Sequence, residues 1–336
     1  MKTEHLDALT RSLAGSFAFC GIAVAQGGAR QFSLACAPGI KADKDTMFRV
    51  ASISKLVVGQ AVAAFVKANA TGWGTDVSDI LGWSMRNPDY PDVPVTLGMV
   101  ASHSAGLTDD AGYVLPSQTS LEEWCTTRQV FACQPSVYFD YANLGYVILA
   151  EVLERMSGMS FTEAVVPHLP QPAGFNWQGV TPAQAANRLP TYRSGAAGFE
   201  AQIDEDIVAP GPSRNAGVFS PQGGLRTSLA GLLELAEGLR HADRIELWTP
   251  LMGRGNYLDG VFECYGSGLQ IYYQPRFYPH ELIGHFGKAY GFSGGVWYDV
   301  KAKTSFAYAL NGLPIGDESD AFSVAESKIF EAVAGI

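Results

Sequence analysis

The sequence predicts a mixed α/β (α+β) chain in which one antiparallel sheet, flanked by helices, is assembled from both ends of the polypeptide. Three observations predict it. Runs with strand character cluster at residues 20–36 and 265–311. An apolar run after Lys55, free of charge for eleven residues, has the look of a buried helix. The stretch between, 76–224, reads as helices joined by long connections. With 336 residues, 47% hydrophobic and 17% charged, the chain can bury a sizeable core as one large unit or two interleaved ones.

Taken in order, residues 1 to about 75 give a helix, a hairpin and a second helix. Cys20 to Ala25, Gly27-Gly28, then Arg30 to Cys36 read as strand, turn, strand, and Leu56 to Val66 is the buried helix. An amphipathic helix over Val147 to Met156 stops at Gly158. From about 225 the pattern gives a helix over Thr227 to Arg240, strands near 265–274, 280–286, 294–301 and 304–311, and a closing helix. This divides the chain into 1–75 with 225–336, and 76–224. Ser194 to Ser220 mixes Gly, Pro, Asp and Glu without periodicity, and loops of that length tend to be functional or disordered. It is expected to cover a binding cleft and to help select substrate, together with Tyr113, Tyr290 and Trp297, aromatics that could equally belong to the core.

Composition narrows the function. A formal net charge of −10 with no basic cluster argues against nucleic acid as a partner. Five cysteines, at 20, 36, 125, 133 and 264, form no even framework and read as free structural thiols, with one or two bridges left open. Leu13 to Ala25 is apolar and ends Ala-Val-Ala, as a signal peptide would. It is too short to span a bilayer, and Glu4 and Asp7 beside Lys2 and Arg11 leave no positive leading region. A cytoplasmic protein without a transmembrane segment is expected, with a periplasmic or secreted one as the alternative. Oligomeric state is not readable.

Three segments carry chemistry. In Ser52-Ile53-Ser54-Lys55, two residues three apart share a helix face, and an amine held beside a hydroxyl in a desolvated pocket can take its proton. No other Ser-x-x-Lys occurs in the chain, although a capped helix would also account for these residues. Tyr141-Ala142-Asn143 stands just before the amphipathic helix. A phenol beside an ammonium can shuttle protons, and an amide offers both a donor and an acceptor. His285-Phe286-Gly287 lies between two strand patterns, where a glycine lets a substrate approach the backbone.

In this order and at these separations the motifs resemble those of the serine β-lactamase and penicillin-binding-protein superfamily, in its class C β-lactamase-like branch with serine esterases, D-amino-acid peptidases and amidases. Thr46-Met47-Phe48-Arg49, Ala101-Ser102-His103-Ser104-Ala105-Gly106-Leu107 and Pro221-Gln222-Gly223-Gly224-Leu225-Arg226-Thr227 look like the family too, so the resemblance covers nearly the whole chain. It implies that 76–224 is an inserted all-α domain and that the active site lies in the cleft between it and the sheet domain. It also implies that Ser52 is acylated while Lys55 and Tyr141 move protons. Asn143 would orient Lys55 and bind substrate, with His285 and Gly287 at the substrate edge and the backbone N–H groups of Ser52 and Lys288 as the oxyanion hole. Donors of that type lower the barrier by about 3 kcal/mol each.

The chain departs from penicillin-recognising members at His285, where they usually carry lysine. Histidine is mostly neutral at pH 7, and esterase and amidase relatives tend to carry it. The resemblance therefore implies a serine hydrolase of a small uncharged ester or amide. β-Lactamase, D-alanyl-D-alanine carboxypeptidase or D-aminopeptidase activity is the alternative, and a binding or sensor protein that does not turn over is the alternative of another class. No cofactor is implied.

Two rival sites fail on sequence grounds. Gly291-Phe292-Ser293-Gly294-Gly295 fits a nucleophile elbow, but an elbow needs a following helix and a later histidine, and all six histidines precede Ser293. His280 and His285 lack a further ligand at metal spacing, so no metal is expected.

Overall fold

The computed structural model describes residues 3–196, 198–202, 213–242, 244, 247, 263–314 and 322–335. Helix α1 (Thr3–Leu13) leads into the hairpin β1 (Phe19–Gln26) and β2 (Ala29–Cys36), turned by Gly27 and Gly28 at φ 59° and 85°, where a side chain would be strained. Strand β3 (Met47–Arg49) and a 3₁₀ turn at Ala51–Ile53 run straight into α2 (Ser54–Ala68). Next come α3 (Val77–Leu81), α4 (Leu97–Ala101), α5 (Leu121–Thr127), α6 (Asn143–Ser157) and α7 (Phe161–Val165), followed by β4 (Ala173–Phe175), α8 (Pro182–Ala186), β5 (Tyr192–Gly195) and β6 (Gly198–Ala201). The C-terminal part holds β7 (Leu225–Ser228), α9 (Leu229–Gly238), β8 (Cys264–Gly266), β9 (Leu269–Tyr272), β10 (Leu282–Ala289), β11 (Phe292–Asp299), β12 (Thr304–Asn311) and α10 (Val324–Ala334).

One seven-stranded antiparallel sheet, ordered β2-β1-β12-β11-β10-β9-β8, joins the two ends of the chain. The junction is β1 against β12, in register from Phe19 opposite Asn311 to Gln26 opposite Thr304. Both faces are covered. Ile22, Val24, Phe306 and Leu310 pack with Leu6 of α1 and Phe330 of α10, while Ala23, Ala307 and Ala309 share a cluster with Leu229 and Leu232 of α9. Burial on both faces is why these strands read as continuous apolar runs. It also accounts for Leu13 to Ala25, which is the end of α1 and the core strand β1.

The middle third is helical through α3 to α8, and it adds strands the sequence does not announce. β4 pairs with β7, and β7 with β3, in a three-stranded sheet; β5 and β6 form a separate hairpin. Strands of three or four residues show too little periodicity to be read. The helix expected from Thr227 begins instead at Leu229, because Thr227 and Ser228 finish β7 and the Ser228 hydroxyl accepts from the Gly231 N–H as its cap. The strand expected at 265–274 is a hairpin, broken at Ser267-Gly268 where α2 crosses.

Part of the expected cleft cover, Ala197 and 203–212, lies outside the described residues. On its far side Arg214 N–H and the Asn215 amide donate to the carbonyls of Ser117, Pro116 and Thr119. Trp297, expected to select substrate, is instead core: it is fully buried and packs edge-on against Tyr272 and Phe322. Among the described residues, one helical stretch is long and apolar enough to cross a membrane, Ala51–Ala68, and 67% of it is buried inside the protein.

Candidate active site

The site begins with the way β7 grips the start of α2. Val50 N–H donates to Leu225 O at 3.1 Å, Arg49 Nε donates to Gly223 O at 2.8 Å, and Leu225 N–H donates to Ser54 Oγ at 3.0 Å. Ser54 Oγ donates in turn to Ala51 O at 2.6 Å. Ala51 has φ 49°, a left-handed conformation unusual for a residue with a side chain, and strain of this kind needs surrounding structure to hold it. Ser54 thus ties the turn together, while Ser52, half-buried on the 3₁₀ turn, is left facing Lys55.

Lys55 is not the solvated first-turn residue of a capped helix. It is completely buried, and its Nζ lies 3.1 Å from Ser52 Oγ, 2.8 Å from Asn143 Oδ1 and 2.9 Å from Gln222 O. Burial disfavours the ammonium and Asp109 partly restores it, leaving the pKa lowered to about 7. A neutral amine has two N–H groups and one lone pair. With the two acceptors taking the hydrogens, the lone pair points at the Ser52 hydroxyl. The amine is fixed in depth by α2 packing on the β8–β9 turn, where Ser267 Oγ donates to Gly59 O at 2.6 Å and a Cβ on Gly268 would stand 2.3 Å from Lys55 O.

Tyr141 and Asn143 arrive on the start of α6. The Tyr141 ring stacks on His103 at 4.3 Å with an interplanar angle of 28°, and its centroid is 4.7 Å from Lys55 Nζ. His103, itself at φ 56°, accepts the Ala142 N–H at Nδ1. The ring is buried, and burial, then Lys55 and His285, hold its pKa well below the ordinary imidazole value. Asn143 is anchored by Asp109, which accepts from the Asn143 side-chain amide at 2.9 Å and from the backbone N–H groups of Asn143 and Leu144 at 2.8 and 3.0 Å. Sequence reading missed Asp109. It stands 34 residues from Asn143, beside Asp110, in what reads as an exposed turn.

Strand β10 closes the site from the other side. A Cβ on Gly287 would lie 2.6 Å from Val50 O and 3.0 Å from the Ser52 nitrogen, so only glycine lets the strand touch the Ser52 turn. β9 covers β10 only along 282–284, and past that Phe286 N–H reaches Gln270 Oε1. Strand alternation aims Lys288 N–H out of the same edge. His285 differs from expectation: it sits within β10, not at its end, and its ring is 1% exposed. Nδ1 faces Phe286 O, so it carries the proton, and Nε2 accepts from Tyr265 OH at 3.0 Å. Burial and the Lys55 charge push its pKa down to about 3. The imidazole is therefore buried and neutral.

Ser52, Lys55, Tyr141 and Asn143 are thus brought together, Gly287 and the Lys288 backbone border them, and His285 joins through Tyr265. Of the aromatics expected at the cleft, Tyr113 is half-buried against the main core and Tyr290 stacks on the Arg49 guanidinium at 4.0 Å.

A family model described as Beta-lactamase matches residues 8–327. Penicillin-binding protein 4 of Amycolatopsis lactamdurans is 26% identical over 155 residues, which are 44% of this chain and 39% of that protein, so the match spans less than half of the relative's length. Among solved structures, a beta-lactamase/D-alanine carboxypeptidase from Yersinia pestis is similar with a TM-score of 0.74 at 13% identity, covering 100% of this chain and 99% of that one. A D-amino acid amidase from Ochrobactrum anthropi SV3 gives 0.71 at 15% identity, covering 98% and 96%.

Proposed function

The chain belongs to the beta-lactamase family, and from that premise we propose that it is a serine hydrolase that cleaves small esters or amides through an acyl-enzyme on Ser52. One observation carries the reading: a fully buried amine, its pKa near 7, held 3.1 Å from the hydroxyl it would deprotonate. In acylation Ser52 Oγ bonds to the substrate carbonyl carbon as its proton passes to Lys55 Nζ. The carbonyl oxygen gains negative charge against the N–H groups of Ser52 and Lys288. Collapse breaks the bond to the leaving group, which takes the proton by way of Tyr141. In deacylation water attacks the ester carbonyl, its proton returns through the same groups, and Ser52 leaves with a hydrogen restored.

The preference for uncharged substrates rests on His285. A permanent cation on β10 would favour an acyl group bearing a carboxylate, whereas here the ring is buried and neutral with both nitrogens engaged. D-alanyl-D-alanine carboxypeptidase and D-amino-acid amidase reactions are the second reading, supported by the similarity to the Yersinia pestis and Ochrobactrum anthropi structures. Turnover of p-nitrophenyl butyrate, D-alanine p-nitroanilide and nitrocefin tests the substrate class. Ester turnover should exceed the others at equal concentration; dominant hydrolysis of nitrocefin would overturn the reading, and dominant hydrolysis of the D-alanine anilide would favour the second one.

A further inference from the structure

We infer that Asp109 is the positioning residue of this site: it fixes which end of the Asn143 amide faces Lys55 and thereby aims the Lys55 lone pair at Ser52. The inference rests on the reading of Ser52 and Lys55 as nucleophile and base, and it adds a residue outside all three sequence motifs. An asparagine amide can present either its oxygen or its nitrogen, and only its neighbours decide. Here one carboxylate oxygen of Asp109 accepts both the backbone N–H and the side-chain N–H of Asn143, at 2.8 and 2.9 Å, while the other accepts Leu144 N–H at 3.0 Å. A carboxylate only accepts, so the NH₂ end of the amide must face it. Oδ1 must then face the amine, as it does at 2.8 Å.

The consequence is geometric. With Asn143 Oδ1 and Gln222 O each taking one amine hydrogen, the remaining tetrahedral direction of Nζ is the one toward Ser52 Oγ. A turned amide would offer Lys55 a donor instead, and the amine would rotate its lone pair toward Asn143. The same carboxylate terminates the first turn of α6, whose leading N–H groups have no partner within the helix, so amide orientation and helix start are set by one side chain. Asp109 also acts by charge. Among the described residues, the titratable groups around Lys55 are Asp109 on the connection after α4, His103 on that same connection, Tyr141 and Tyr146 on either side of the α6 start, and His285 on β10. Asp109 is the anionic one, and its field supports the ammonium.

The test uses Asp109→Asn, Asn143→Ala and the double variant, each titrated for its second-order labelling by a fluorophosphonate, and lysine-¹³Cε NMR of resting protein with Lys55 assigned by Lys55→Arg. Asp109→Asn should lower plateau labelling at least tenfold, and the double variant should be within threefold of Asn143→Ala, since Asp109 acts through Asn143. Multiplying effects would overturn the coupling. The Lys55 midpoint should fall by several tenths of a pH unit or more in Asp109→Asn, and an unchanged midpoint would overturn the inference. A merely structural role would lower labelling in the Asn143→Ala background as much as in wild type. The titration needs no turnover, so a wild type that is not labelled, together with a Lys55 midpoint that falls in Asp109→Asn, would refute the hydrolase reading alone. If Asp109→Asn does not fold, Asp109→Ser keeps an acceptor for the helix N–H groups without clamping the amide, and the same outcomes are read from it.

Discussion

The acid limb of the pH profile follows from a single buried group. If Lys55 is the base, only its neutral form works, and burial, partly offset by Asp109, places its pKa at about 7. The neutral fraction is then roughly 9% at pH 6, 50% at pH 7 and 90% at pH 8. Acylation should therefore accelerate about fivefold from pH 6 to 7, about twofold from 7 to 8, and little beyond. The assay is the second-order rate of fluorophosphonate labelling between pH 5 and 9, followed by intact mass, which isolates acylation-like attack from later steps. An ordinary lysine would give a tenfold rise per pH unit up to pH 9 and no plateau. That result, or a rate independent of pH, would refute the argument from burial to basicity. The same shift enters stability. Between pH 7 and about 10 the unfolded lysine holds a proton that the folded one has lost, so Lys55 makes stability rise with pH in that window.

Further perturbations test other parts of the account. Gly287→Ala should cost about 1–3 kcal/mol of stability by denaturant titration and slow labelling at least tenfold, because its methyl meets Val50 O and the Ser52 nitrogen; wild-type behaviour would show that β10 does not define the Ser52 turn. Ser54→Ala leaves the buried Leu225 N–H without its acceptor and should cost about 1–3 kcal/mol, with slower labelling as the strained turn relaxes. His285 has a folded pKa pushed from 6.5 to about 3, so the unfolded state binds its proton first as pH falls. Stability should drop through that window, and His285→Gln should shallow the slope by about 1.4 kcal/mol per pH unit, measured by denaturant titration at pH 4 to 6.5. An unchanged slope would contradict a neutral buried ring.

Much of this was legible in the sequence where one signal was strong and local. The charge-free run after Lys55 became a buried helix, and Gly158, at φ 68°, does end α6. Strand β12 matches its expected bounds. What escaped was set by partners distant in the chain. Asp109 acquires its meaning only when α6 folds across it, and Trp297 looks like a cleft aromatic until α10 and β9 cover it. His285 could be read as neutral but not as buried, since Tyr265 and β10 together enclose it. The short strands β3, β4 and β7 hold the Ser52 turn without periodicity of their own.

Intact mass after fluorophosphonate treatment at pH 8, on wild type and Ser52→Ala, tests the central claim most directly. The account predicts one adduct per wild-type chain and none on Ser52→Ala. An adduct that persists without the Ser52 hydroxyl, or a wild type that takes none, would contradict it.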